Sequence, residues 1–322
     1  MKSLWTLCAL IFAIGVFSQT PSVKRSPPLS PGDPSAQGIS ADRLDRISEM
    51  LEKAIEAGEI PGAVALVARN GRIVYHEAFG MADAVNRRPY KTDDIFRIAS
   101  QTKAITATAV MMLWEEGKFQ LDDPISKFIP AFKNTGVLDS FNEADSSFTT
   151  KPVEKEITIR HLITHTSGIG YGWIDSDDRF RKMYVKAGII DAFTTEPIRL
   201  KENIEKLAGL PLHHQPGEKW TYSEGLDVLG YFVEIISGMP FNQFLRKRIF
   251  DPLGMKDTWF YLPGGSADRL VPVQYAPEGE WKVYRSEVYN VNSPLKVPVL
   301  IFPAVLVYPA PPWITLFSCR CI

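Results

Sequence analysis

Two apolar runs meet at Asn70-Gly71, and that junction constrains the fold more than any other feature of the chain. Ala63 to Ala68 and Ile73 to Phe79 are short, alternate in part, and read as strands. An Asn-Gly pair supplies the two residues of positive φ that a tight hairpin turn demands. Just upstream, Leu44, Ile47, Leu51, Ala54 and Ile55 form one apolar stripe at helical spacing, capped by Ser40 and ended by Gly58 and Pro61-Gly62. A helix packed on an antiparallel hairpin opens an α+β domain.

The chain has 322 residues, 45% of them apolar, enough for a substantial core. Its formal net charge of −1 argues against nucleic acid as the main partner. The strongest basic patch, Arg246-Lys247-Arg248, reads as a solvated helix end.

Further along, the strand-like run Asp94-Ile95-Phe96-Arg97-Ile98 gives way to a helical, largely apolar stretch from Ala104 to Glu116. At the junction stands Ser100-Gln101-Thr102-Lys103. Three residues is just under one helical turn, so the Lys103 amine falls on the face of the Ser100 hydroxyl. A serine at a helix start sits in the positive end of the macrodipole, which favours negative charge on its oxygen. A free hydroxyl is a weak nucleophile and needs a base in reach, and a lysine serves once burial favours its neutral form. Ser100 and Lys103 are thus a candidate acyl-transfer pair. A second Ser-x-x-Lys, Ser293-Pro294-Leu295-Lys296, carries a proline that blocks the required helix.

The segment from Asn134 to Glu156 is polar and reads as an irregular insertion; order resumes at Ile157 to Leu162. Thr164-His165-Thr166-Ser167-Gly168 reads as a turn, Phe180 to Leu207 has helical character, and Gly225 to Ser237 is an apolar helix closed by Gly238. His213-His214 suggests loop polarity rather than a metal site, since adjacent side chains diverge.

Met1 to Ser18 has a basic start at Lys2 and an uncharged apolar core from Leu4 to Phe17, the pattern of a secretory signal. The expected location is therefore periplasmic or secreted, with no membrane span left after signal removal. Residues 19–39, holding five prolines and four serines between Thr20 and Ile39, read as a flexible linker. Of the three cysteines, Cys8 lies in the signal, and Cys319 and Cys321 are too closely spaced for a mutual disulfide. The chemistry is not thiol-based.

Several segments together resemble the serine β-lactamase and penicillin-recognising family, in particular its esterase and carboxypeptidase-like branch. They are Phe96 to Lys103, Leu121-Asp122-Asp123-Pro124-Ile125, Ile159 to Gly168, Pro216-Gly217 through Tyr222-Ser223 with Gly225 to Gly238, and Phe250-Asp251-Pro252-Leu253-Gly254-Met255. The resemblance implies an α+β fold, an antiparallel sheet flanked by helices plus a mainly helical region, over residues 40–296. It implies serine hydrolysis of a small-molecule ester or amide through an acyl-enzyme, without metal or organic cofactor. Ser100 becomes the nucleophile, Lys103 its base or proton relay, and Tyr222 the group that helps move the proton to the leaving group. His165 becomes structural, the holder of a turn. Where the lactamases and peptidases commonly have Tyr-x-Asn, this chain has Tyr222-Ser223-Glu224. Glu224 takes the place of an asparagine that donates to a substrate amide, and an ionised carboxylate can only accept. That favours ester substrates over β-lactams and D-Ala peptides.

The family's third motif, a strand with Lys-Thr-Gly or an equivalent, is not found. Val297 to Phe317 is instead apolar and uncharged, with prolines at 298, 303, 309, 311 and 312, a density that excludes a membrane helix. The codons permitted for Leu300 to Thr315 allow a second frame that encodes a glycine-rich segment similar to the family's. The expectation is a frameshift near Val299, an aberrant tail over 297–322, and a domain incomplete at its C-terminus. A product of that kind is expected to be inactive and poorly folded, or to persist as a non-catalytic acyl-binding remnant.

Overall fold

The computed structural model describes residues 29–191, 199–260 and 262–284. The signal sequence, the second Ser-x-x-Lys, the place of a third motif and the 297–322 tail lie outside the described residues.

The hairpin forms where the sequence predicts it. Strand β1 (Ser30–Pro31) precedes helix α1 (Ala41–Glu56), followed by β2 (Gly62–Arg69), β3 (Arg72–Asp83) and β4 (Arg88–Pro89). Strands β2 and β3 pair antiparallel, with Ala63 opposite Phe79, and Asn70 and Gly71 turn at φ of 52° and 73°. The sheet order is β1-β3-β2, with β4 also paired to β3. Within the stretch read as a flexible linker, Ser30 and Pro31 pair in parallel with Arg72 and Ile73. Ser40 stands at the N-cap of α1, but its side chain makes no capping hydrogen bond. The helix lays Leu44 on Val74 and Tyr75 of β3, with Ile47, Val67 and Phe79 around them, a small satellite core.

The larger core lies in the helical region. Helix α2 (Thr102–Glu115) is followed by a hairpin of β5 (Gly136–Phe141) and β6 (Phe148–Pro152), then helices α3 (Ile159–Ile163), α4 (Asp178–Ala187), α5 (Leu200–Leu207), α6 (Gly225–Ser237) and α7 (Phe241–Leu245). Helix α6 runs through the middle and packs on α2, α3, α5 and α7. Its Phe232, wholly buried, meets Phe119 and Phe128 edge-on at 4.9 and 5.0 Å. Aromatic pairs in that geometry add about 0.5–1.5 kcal/mol to their burial.

Three local readings change. The 134–156 segment is not irregular: Val137, Leu138, Phe141 and Phe148 give its hairpin an apolar side that packs on the main core. The Phe180 to Leu207 stretch holds two helices, because Gly188 ends α4 in the left-handed conformation at φ 63°. The Arg246–Arg248 patch is not merely solvated. Arg246 lies 3.8 Å above the Trp259 ring, Arg248 pairs with Glu116, and Arg246–Phe250 forms a π-helical turn.

Candidate active site

Ser100 is presented by a pinned and strained segment. The expected strand at 94–98 shrinks to a single bridge, Ile95 to Leu270, with hydrogen bonds of 2.8 and 2.9 Å to Arg269 and Val271. Among the described residues its one bridge partner comes from a distant, mostly irregular stretch. Asp94 holds the other side, accepting from Arg88 at 2.6 Å and from the Lys91 backbone at 2.9 Å. The chain then turns through Ala99, a buried residue at φ 48°. An alanine in that region costs roughly 1–2 kcal/mol, and such strain collects at functional positions. Ser100 follows, exposed, in a short 3-10 turn (Ala99–Gln101) immediately before α2.

Tyr222 reaches Ser100 from the far side of the sequence. The turn at 164–170 and the segment 213–224 are laced by backbone bonds: Gly217 to Thr166 (2.7 Å), His213 to Gly168 (2.7 Å), Thr221 to His165 (2.8 Å) and Glu224 to Gly170 (3.1 Å), donors named first. The Tyr222 ring stacks on Tyr171 at 5.4 Å, and the His165 ring lies 5.1 Å away. Its phenol oxygen ends 2.6 Å from Ser100 Oγ. Trp220, two residues ahead and 65% exposed, stands at the rim with its ring 6.3 Å from that of Tyr222.

Lys103, the second residue of α2, is half-buried. Its Nζ lies 5.0 Å from the centre of the Tyr222 ring and 5.3 Å from that of Tyr171. The hydrogen bond to Ser100 is thus made by the phenol, with the amine set behind it.

His165 adopts φ 56°, and its Nδ1 accepts from the Ser223 backbone at 3.2 Å and lies 3.0 Å from Ser223 Oγ. With Nδ1 accepting, the ring proton falls on Nε2. Burial, aided by the Lys103 charge, lowers the His165 pKa to about 4. This imidazole is a neutral strut.

Beneath the site lie carboxyl groups that sequence reasoning did not assemble. Glu224 is 1% exposed, so its side chain presents no surface to solvent. Burial drives its pKa well above the ordinary carboxyl value, with Asp227 and Asp191 adding to the shift and Lys103 opposing it. Burial also raises Asp227 to about 6 against the pull of Lys103. Asp227 was legible only as a polar residue inside an apolar helix. His213 and His214 have separate partners: His213 meets Asp175 at 2.9 Å, and His214 meets Thr221 at 2.9 Å. Among the described residues, no group of three metal-ligating side chains forms.

The chain is 38% identical to "Esterase EstB" of Burkholderia gladioli over 229 residues, 71% of this chain and 54% of that protein. It is 31% identical to "Penicillin-binding protein 4*" of Bacillus subtilis, over 79% of this chain and 48% of that protein. The chain spans about half the length of these curated relatives. Among solved structures, "EstCE1, a hydrolase with promiscuous acyltransferase activity" superposes with a TM-score of 0.65 at 30% identity, covering 76% of this chain and 60% of that one. Unliganded simvastatin synthase (LovD) from Aspergillus terreus, as its selenomethionyl derivative, gives 0.62 at 27% identity, covering 77% and 61%. These neighbours share the α+β architecture described above. The Beta-lactamase family model matches residues 47–293, and the chain belongs to that family.

Proposed function

We propose that this protein is a serine hydrolase of the esterase type, which forms an acyl-enzyme on Ser100. The observation that carries the reading is the 2.6 Å contact between Ser100 Oγ and the Tyr222 phenol, with the Lys103 amine behind it. As Ser100 Oγ bonds to the acyl carbon, its proton passes to the phenol oxygen of Tyr222. The phenol in turn releases its own proton to the departing alkoxide, and the ester C–O bond breaks to give an alcohol. Water reverses the sequence to free the acid. Lys103, its amine 5.0 Å from the centre of the Tyr222 ring, sets a cation over the face of that ring. The relative named "Esterase EstB" supports an ester substrate. So does Glu224, which stands where an amide-donating asparagine is common in the lactamases and peptidases.

The Met1 to Ser18 pattern supports export to the periplasm or medium. Among the described residues, no helix is long and apolar enough to cross a membrane. The direct test of the reading is covalent capture by a fluorophosphonate, followed by intact mass and peptide mapping to Ser100.

A further inference from the structure

The relay leaves the rim of the site without a role. Four rings run outward there: Tyr171 is buried, Tyr222 and His165 are half-buried, and Trp220 is mostly exposed. Tyr171 stacks on Tyr222 at 5.4 Å, with 6° between the ring planes. The His165 ring lies 5.1 Å from Tyr222 and 5.9 Å from Trp220, which it meets edge-on at 65°. Trp220 and Tyr222 are themselves 6.3 Å apart, ring centre to ring centre. Each of these separations is that of an interacting aromatic pair.

An exposed tryptophan by itself carries no function. This one is held in place. Gly217 and Thr221, which flank it, both donate backbone hydrogen bonds into the 164–170 turn, at 2.7 and 2.8 Å. Thr221 Oγ1 also lies 2.9 Å from His214 Nε2. The His165 ring that Trp220 faces is fixed in turn by the Ser223 backbone. A ring fixed in advance loses little freedom when a ligand covers it. The rim also carries no unanswered charge. His165 is neutral above about pH 4, and the charged neighbours Lys219 and Glu218 pair with each other at 3.3 Å. Such a surface suits a flat, apolar, uncharged group.

Which part of an ester lies there follows from the relay, and the inference rests on that reading. Tyr222 delivers its proton to the departing alkoxide, so the ester oxygen must come within hydrogen-bond reach of the phenol. The alcohol carbon is one bond beyond that oxygen, while the acyl carbon is bonded to Ser100. Trp220 belongs to the same segment as Tyr222 and is the more exposed of the two rings. We propose that Trp220 is a specificity residue for the leaving group: its indole receives the alcohol part of the ester and favours flat, apolar alcohols, phenols and naphthols above small alkanols. It makes no such demand on the acyl group.

Three esters provide the test. Naphthyl acetate carries its arene on the alcohol, trifluoroethyl naphthoate carries the same arene on the acyl group, and trifluoroethyl acetate has none. For each, kcat/KM of Trp220→Ala is divided by that of wild type, which removes the ester's own reactivity. The naphthyl acetate quotient should lie about tenfold below that of trifluoroethyl acetate, the scale of one lost aromatic contact with its buried area. The naphthoate quotient should stay within about twofold of the trifluoroethyl acetate value. Trp220→Phe, which keeps a ring, should recover most of the preference. Equal quotients for all three esters, or the deepest loss with the naphthoate, would overturn the assignment. Should Trp220→Ala prove insoluble, Trp220→Leu supplies the same quotients, and the same outcomes decide. A wild-type chain that takes no fluorophosphonate at Ser100 and turns over none of the esters would refute the Ser100 reading, and the leaving-group role with it. A chain that labels and turns over yet gives equal quotients loses the Trp220 assignment alone.

Discussion

Ser100 and Tyr222 stand 122 positions apart in sequence, yet their side-chain oxygens lie 2.6 Å from each other. Nothing local to either residue creates this contact. It depends on the bridge that pins Ile95 to Leu270 and on the lacing of 164–170 to 213–224.

Tyr222→Phe keeps the ring stacked on Tyr171 and removes only the oxygen that touches Ser100. Acylation by p-nitrophenyl acetate or a fluorophosphonate should fall by roughly 10²-fold or more, the usual scale for losing a proton-transfer group. Its Tm should stay within a few degrees of wild type. Stopped-flow acylation and a thermal melt on one preparation check both parts.

His165→Asn separates strut from base. The folded His165 pKa of about 4 lies below the ordinary 6.5, so the unfolded chain binds a proton first as pH falls. Wild type should therefore lose stability from about pH 6.5 downward, levelling off below about pH 4. Asparagine tolerates the positive φ and can still accept a hydrogen bond. The variant should lack this loss while labelling within about an order of magnitude of wild type. Melting curves from pH 4 to 8 for the two proteins, compared as differences, provide the measurement.

Much of the fold was legible because it is written in short-range signals. The Asn70-Gly71 turn, the stripe on α1 and the Gly238 terminator of α6 each act within a few residues. The site was legible in part. Ser100 and Lys103 share a helix start, so their spacing places them together, whereas the role of Tyr222 came from a resemblance between motifs. The contact between Ser100 and Tyr222 was not legible, because helical spacing says nothing about what arrives from residue 222. Glu224 was named from its place in a motif, but its burial and that of Asp227 were missed for a similar reason. Asp227 looks like a polar interruption of an apolar helix until α2 is packed against α6. The 134–156 hairpin was missed because only one side of its strands is apolar, and its polar side and turn dominate the composition.

Gly170→Ala should loosen the loop that carries Tyr171. A Cβ at Gly170 would run into His213 Nε2 and the Asp175 carboxylate, which meet at 2.9 Å. Asp175 also accepts from the Tyr171 backbone at 3.1 Å, so displacing it frees the ring that stacks on Tyr222. Overpacking of this kind costs about 1–3 kcal/mol. Chemical denaturation should show that loss together with slower labelling. An unchanged midpoint would show that the loop can yield without cost.

Short-chain esters should acylate Ser100 faster than nitrocefin does. Glu224 is buried beneath the site and offers no exposed amide donor to a lactam. Parallel second-order acylation rates with p-nitrophenyl acetate and nitrocefin decide the matter. Faster reaction with nitrocefin would move the reading to a β-lactamase.

The central claim is that Ser100 is a nucleophile activated through Tyr222 and Lys103. Intact-mass spectrometry of the 322-residue protein after fluorophosphonate treatment tests it most directly. Against the sequence-based expectation that a chain without the third motif is inactive, the account predicts a single stoichiometric adduct mapped to Ser100, absent in Ser100→Ala and strongly slowed in Lys103→Ala and Tyr222→Phe. A folded wild-type chain with no adduct, or one whose adduct survives in Ser100→Ala, would contradict it.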